Sequence, residues 1–445
     1  MKTWIKRSLW GVGAVLAAVL LVVLAWVASN WRDAEPQPWP DVLTPRSLAV
    51  ADADNFFITL AAVPAAEAQA PLLSLPPCAG ADCGAIWRTA APDWAAQRQA
   101  HAALGAVCEA GTRSSVPPAA EPLPATFGID TELPRFQNFT GCSAWLLTLA
   151  LEASSANQPD AAVAKLAQSA RLATALFNGS QSLIGHMIAV AVWSRHLQAL
   201  QVIAAQHPGT TSALQALPLP TVAQVAAAQR RWIAYEASFN RSAVRTAHSG
   251  DACQSEHGLR AWSCRRAVAM VLPNYSEQLF SAHWQKVLGA IGDDGFLNAV
   301  AYLERFESAP PPGLIDSWWH WRGTVPHILF AVAMPQYKGY FVRSANLTLS
   351  AQATALWLKA HGQPAAARTT WLVAQLKGTP LAERLNIDSQ GQWKLRELAG
   401  SASDRTPPTR WPAWPADRGL LLLRRRCGSA ERQAAAQARA ACSSG

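Results

Sequence analysis

From Leu314 to His327 the chain reads LIDSWWHWRGTVPH, which places three tryptophans, two histidines and an aspartate within fourteen residues. On a helix, Asp316 and His320 would be four apart and share a face, while Trp318 and Trp321 would share another with Trp319 beside them. An Asp–His pair can take and return a proton, and indoles stack on sugar rings, so Asp316 and His320 are candidate acid–base residues on a glycan platform built from Trp318, Trp319 and Trp321. The same indoles would also suit an aromatic patch against a membrane or a partner. The preferred expectation is a third reading, in which they fill a cleft between helices.

Other groups with chemical potential are dispersed. The segment HSGDACQSEHGLR holds His248, Asp251, Glu256 and His257, but eight residues between the histidines match no helical ligand spacing, so a solvated loop pinned by cysteines is expected. His186, Arg195, His196, Arg230 and Arg231 fall on amphipathic helical stretches, where histidines are structural by default. Glu236, Arg230 and Arg241 read as helix-surface charges. G-x-S-x-G, S-x-x-K, H-E-x-x-H, the phosphate-binding loop and G-x-G-x-x-G are all absent from the sequence, and GCSAW is half of a nucleophile elbow without its strand. Without a C-x-x-C pair or a zinc-finger spacing, no metal and no cofactor are expected.

The eight cysteines all follow residue 77, and an even number suggests disulfides in an oxidising compartment. Proximity favours Cys78 with Cys83, Cys108 with Cys142, and Cys253 with Cys264 around a turn at Gly258. Cys427 and Cys442 remain, separated by a stretch that reads as a helix of about 20 Å at 1.5 Å per residue, too long to bridge, so either that helix breaks or the two pair elsewhere.

The clearest local signal is at the N-terminus. Lys2, Lys6 and Arg7 precede an uncharged run of 24 residues, Ser8 to Trp31, long enough to cross a hydrocarbon core. Trp10, Trp26 and Trp31 lie near its ends, where indoles favour the interface. An uncleaved signal anchor at 8–31 is expected, with residues 1–7 in the cytoplasm and the rest outside. Residues 32–47 contain four prolines and read as a stiff spacer lifting the domain off the membrane. The composition has a bacterial cast, so the expected location is the inner membrane, with the bulk of the chain in the periplasm.

Net charge is +9, but residues 404–445 hold eight arginines against three acids, and the body is nearly neutral. Nucleic-acid binding, which needs a basic face on the folded body, is not expected. The basic tail would suit anionic lipid or wall polymers.

Half of the 445 residues are hydrophobic, with alanine prominent and 20 tryptophans. Residues 48–136 look irregular and clamped by disulfides. From about 137 the apolar spacing turns helical: stretches beginning at Cys142, Asp160 (a candidate cap), Ser180, Thr221, Tyr275, Gly295, Leu347 and Pro364 each keep the helical period. RLNIDSQGQWKLREL alternates instead, predicting a hairpin near Ser389–Gly391, and GLLLLRRRC a further short strand. The fold expected is mainly α, an antiparallel helical bundle with minor β near the C-terminus plus one N-terminal transmembrane helix.

An N-terminal anchor, the Asp-Asn-aromatic stretch DADNFFITLAAV, the cysteine pair CAGADC and then helices make a layout that resembles a loose set of uncharacterised, N-terminally anchored bacterial envelope proteins. The likeness covers about forty residues and implies a helical periplasmic domain but no site. The functional expectation is a non-enzymatic envelope interaction or assembly factor with an envelope protein partner; the alternative is a cell-wall glycan-binding or glycan-processing enzyme using 314–327.

Overall fold

The computed structural model describes residues 2–64, 73–78, 83–127, 131–132, 134–249, 253–254, 256–292, 296–308, 323–333, 337–387, 393–398 and 409–410. These are mostly helical, with a small antiparallel sheet near the C-terminus.

The centre is a run of three helices, α5 (Gln137–Ser155), α6 (Pro159–Gly179) and α7 (Leu183–Gln206), turning back on one another through connections of three residues. At the first turn Asn157 takes a left-handed φ of 55°, a conformation asparagine tolerates. Pro159 opens α6, so Asp160 lies inside its first turn, favouring the helix dipole, and is not the cap itself. By composition α7 could span a membrane, yet Trp193, Leu197, Leu200 and Ile203 are covered by protein. Helix α8 (Thr211–Gln215) leads to α9 (Val222–Ser249), for which Thr221 accepts the Gln224 N–H.

Next come α10 (Gly258–Ala269), α11 (Pro273–Ala290), α12 (Phe296–Ser308), α13 (Thr324–Ala333), α14 (Lys338–His361) and α15 (Ala365–Leu376). Helix α14 ties the core together. Its Phe341 and Val342 pack with α9 and α11, Leu347 and Ala351 with α6 and α7, and Trp357 with the sheet. Strands β1 (Leu385–Ile387) and β2 (Trp393–Leu395) pair antiparallel, Ile387 opposite Trp393, and β3 (Thr409–Arg410) adds to β2. Trp393 and Leu395 point into the core, as period-two alternation requires. The strand expected at 419–427 lies outside the described residues.

The segment 48–136 is more regular than its composition suggests. It holds α2 (Phe56–Ala61), α3 (Cys83–Ala100) and α4 (Ala102–Thr112). Trp87 and Trp94, seven apart, form the buried seam of α3, which continues through Pro92. Asn55 accounts for the Asp-Asn-aromatic stretch: its carboxamide accepts from Phe57 N at 3.0 Å, capping α2, and exchanges two hydrogen bonds with the Ala120 backbone. The cysteines of the three expected pairs lie at disulfide distance, with Cα separations of 5.0 Å for Cys78–Cys83, 5.6 Å for Cys108–Cys142 and 5.8 Å for Cys253–Cys264. Cys427 and Cys442 lie outside the described residues.

Helix α1 (Lys2–Trp31) covers the expected anchor. Val19 through Leu24 are all exposed, so every face of the helix presents apolar side chains. The proline-rich stretch after it is extended but docked along α11, not a free spacer. Leu272 and Pro273 begin α11 without a side chain able to cap it. Asp33 supplies the cap, accepting from Asn274 N at 2.9 Å and Tyr275 N at 3.0 Å. Gln278 Nε2 then donates to Glu35 O, and Trp39 Nε1 and Ser238 Oγ both donate to Leu43 O. Leu43 itself is fully buried beside Trp232, Ile233 and Trp284. A leucine-to-alanine change at a buried site costs about 3 kcal/mol, so Leu43→Ala is expected to lower the chemical-denaturation midpoint clearly. A free spacer would leave that midpoint unmoved.

Candidate functional site

The sequence-predicted residues Asp316, Trp318, Trp319, His320 and Trp321 lie outside the described residues. The chain is described again at Gly323, whose φ of 79° and contact with the Tyr275 ring leave no room for a Cβ. His327 Nε2 is 3.2 Å from the Tyr275 hydroxyl. Asp251 is also outside the described residues; His248 and His257 are exposed and Glu256 is half-buried. Among the described residues, no three His, Cys, Asp or Glu side chains converge as a metal centre requires.

What the structure does bring together is a set of perturbed charges around the α6–α7 turn. The backbone N–H groups of Gln181 and Ser182 donate to one oxygen of Glu121 at 2.7 and 2.9 Å, and the Ser182 hydroxyl donates to the other at 2.5 Å. Ser182 in turn accepts from Gly185 N, completing the N-cap of α7. From the opposite side Glu236 accepts from the backbone N–H of Leu183 and from the Tyr337 hydroxyl. Two acids thus meet the positive end of α7. The preceding helix ends on a cation: Arg231 donates to Phe177 O at 2.8 Å and Ser180 O at 3.2 Å, carbonyls at the C-terminus of α6.

Burial decides the acid–base behaviour of these groups. It raises the Glu121 carboxyl and pushes Glu236 up to about 7, with the Glu121 charge adding to the latter. Burial also lowers Arg231 to about 10, which leaves it cationic at neutral pH. Glu236 is therefore not the surface charge its helical position suggested. His186 packs against Phe177 and Trp232 with Nε2 2.8 Å from Ser344 Oγ, and burial holds it near 3. Arg241 does keep an ion-pair role, sharing Glu277 with Arg245.

Beside this turn a crevice of about 640 Å³ opens between the docked strap and helices α9 and α11. Val42, Leu48, Ala234 and Leu288 give it an apolar lining. Arg46, Arg230 and Arg231 outnumber Asp41, so its charge is net positive. Arg230 and Arg231 are held in place by backbone carbonyls, Arg230 through Ile291 O at 2.8 Å. An amphipathic group, apolar with an anionic end, is complementary to this lining. The sequence had no local sign of the crevice, because Arg46 and Arg230 meet only when the strap docks.

Comparison with protein-family models, with curated proteins and with solved structures finds no match for this chain.

Proposed function

We propose that the chain is a single-pass bacterial inner-membrane protein whose helical domain stands in the periplasm and acts as a non-enzymatic envelope interaction or assembly factor. The observation that carries this reading is the exposure of apolar side chains on every face of α1. A helix of that kind is at home in hydrocarbon, and its thirty residues are about 45 Å long at 1.5 Å each, enough to cross. Lys2, Lys6 and Arg7 orient it with the N-terminus in the cytoplasm. Three cysteine pairs at bridging distance fit an oxidising compartment.

The binding role rests on how the charged groups are used. Glu121, Glu236 and Arg231 hold helix ends, whereas the crevice beside them is net positive with an apolar lining. That lining suits a partner segment carrying an acidic residue beside apolar ones.

Two measurements test the reading. A C-terminal alkaline phosphatase fusion of the full chain is expected to be active in cells and a green fluorescent protein fusion dark; the reverse pattern would sink the topology. A photo-reactive residue at Val42, exposed at the crevice mouth, is expected to give one recurrent envelope-protein adduct that disappears with Arg46→Glu. Turnover of purified cell wall that is lost when Trp318, Trp319 and Trp321 become alanine would replace the binding role with glycan chemistry.

A further inference from the structure

We infer that α10 is an interfacial helix that lies on the anionic bilayer surface, inserting Leu259 and Trp262. The inference rests on the anchoring proposed above. Among the described residues no large apolar side chain is more exposed than Leu259, at 86%, and Trp262 on the same helix is 58% exposed. Leu259, Trp262 and Arg266 follow i, i+3, i+7 spacing and share the outward face. Ala261 is buried on the opposite face, toward α9. Arg260 and Arg265 are exposed on the two flanks between these faces. The Arg266 guanidinium lies 5.5 Å over the Trp262 ring. Two exposed apolar side chains, one of them an indole, set among three arginines suit the headgroup layer, where the indole sits at the interface and cations meet phosphates.

The position of α10 singles out the membrane as its partner. Helix α1 ends at Trp31, two residues before Asp33, and Asp33 binds the first N–H groups of α11. Helix α10 ends at Ala269, four residues before α11 begins. Both helices therefore end within a few residues of one point, and the twelve residues of α10 extend only about 18 Å from it. The hydrogen bonds of Asp33 fix that point to the place where α1 would leave the bilayer. The Cys253–Cys264 pair ties the chain before α10 to its own middle, which holds the helix in place. Docking here also leaves the crevice clear. The strap runs along α11 from Asn274 to Leu288, so the crevice opens at the other end, about 20 Å away at 1.5 Å per residue.

The test uses the full chain reconstituted in phosphatidylglycerol–phosphatidylethanolamine vesicles that carry a phospholipid with a diazirine at a shallow acyl carbon. After illumination, lipid adducts are mapped by mass spectrometry. The expected result is adducts on α1 and on the peptide containing Leu259 and Trp262. With Leu259→Ser and Trp262→Ser together, the α10 adducts should vanish while the α1 yield and the thermal melt stay unchanged, since neither side chain supports the core. In vesicles of phosphatidylcholine alone the α10 yield should drop. Adducts on α1 alone would overturn the docking and leave the anchor standing. Adducts on neither helix would overturn the anchor and the docking together.

Discussion

Replacing Trp232 by alanine is expected to lower the unfolding free energy by about 4 kcal/mol, the usual cost of emptying a large aromatic site. Trp232 is fully buried at the meeting point of three elements. Its ring stacks on Tyr337 at 6.1 Å, meets Trp284 edge-on at 6.0 Å and lies 5.0 Å from Phe341. Leu43 of the strap and His186 of α7 border the same cluster. The cavity would open where α9, α11 and α14 pack together, and rigid neighbouring rings cannot collapse into it. Among the described residues the Trp232 indole N–H, which is buried, has no hydrogen-bond partner. Trp232→Phe should therefore cost much less than Trp232→Ala, because phenylalanine keeps most of the ring and removes the unpaired donor. Urea denaturation of the three proteins checks both statements. Equal losses for the two variants would overturn the dominance of ring packing at this site and show that the indole N–H is paired in the fold.

Protonation of the buried histidines is expected to cost the fold about 2 kcal/mol each as the pH falls from 7.5 to 5. Burial holds His186 and His196 near 3 and His283 near 4, all below the ordinary 6.5. Between pH 6.5 and those values the unfolded chain binds protons that the folded chain refuses, so stability is lost as pH falls. At pH 5 each histidine accounts for about 2 kcal/mol. Glu236 acts in the opposite direction. Its carboxyl titrates near 7 in the fold and 4.5 outside it, so the folded chain takes up that proton first, and acidification returns about 2 kcal/mol. Glu121, also raised by burial, acts in the same direction as Glu236. Denaturant midpoints measured from pH 7.5 to 5 on both proteins should differ in slope, His186→Gln being destabilised by about 2 kcal/mol less on acidification whatever it does to stability at pH 7.5. An unchanged pH slope in that variant would show that His186 takes up its proton equally in the folded and unfolded chains.

The sequence by itself determined the helices and little of what joins them. Periodicity over residues 160–177 and 221–247 marked α6 and α9 to within a few residues, because a helix is held by bonds between near neighbours and its buried stripe repeats every turn. The alternation from Leu385 to Leu395 marked the hairpin for the same local reason. Cysteine pairing by proximity fits Cys78–Cys83 and Cys253–Cys264, where a short loop constrains both partners, whereas Cys108 and Cys142, 34 residues apart, are brought together by the packing of α4 on α5. Trp87, Trp193, Trp232, Trp284, Trp357 and Trp393 are fully buried or nearly so, while Trp262 is exposed, and the tryptophans expected to pack in the core, Trp318, Trp319 and Trp321, lie outside the described residues.

Tertiary structure decided the rest. Four prolines between 32 and 47 read as a spacer, yet the stretch is fastened by Asp33 and Leu43 to residues about two hundred positions away. Glu121, Arg231 and Glu236 come from segments up to about sixty residues from the turn they bracket, and nothing in their local pattern marks them as caps. Leu259 and Trp262 look like ordinary core residues until the fold turns Ala261 inward and leaves them outside. In each case a side chain's role depends on which groups are left unpaired or uncovered when distant segments pack. Hydrogen-bond donors at a helix start and apolar faces at a domain end are satisfied by whatever the fold brings near, and that is a property of the assembled chain, not of any stretch within it.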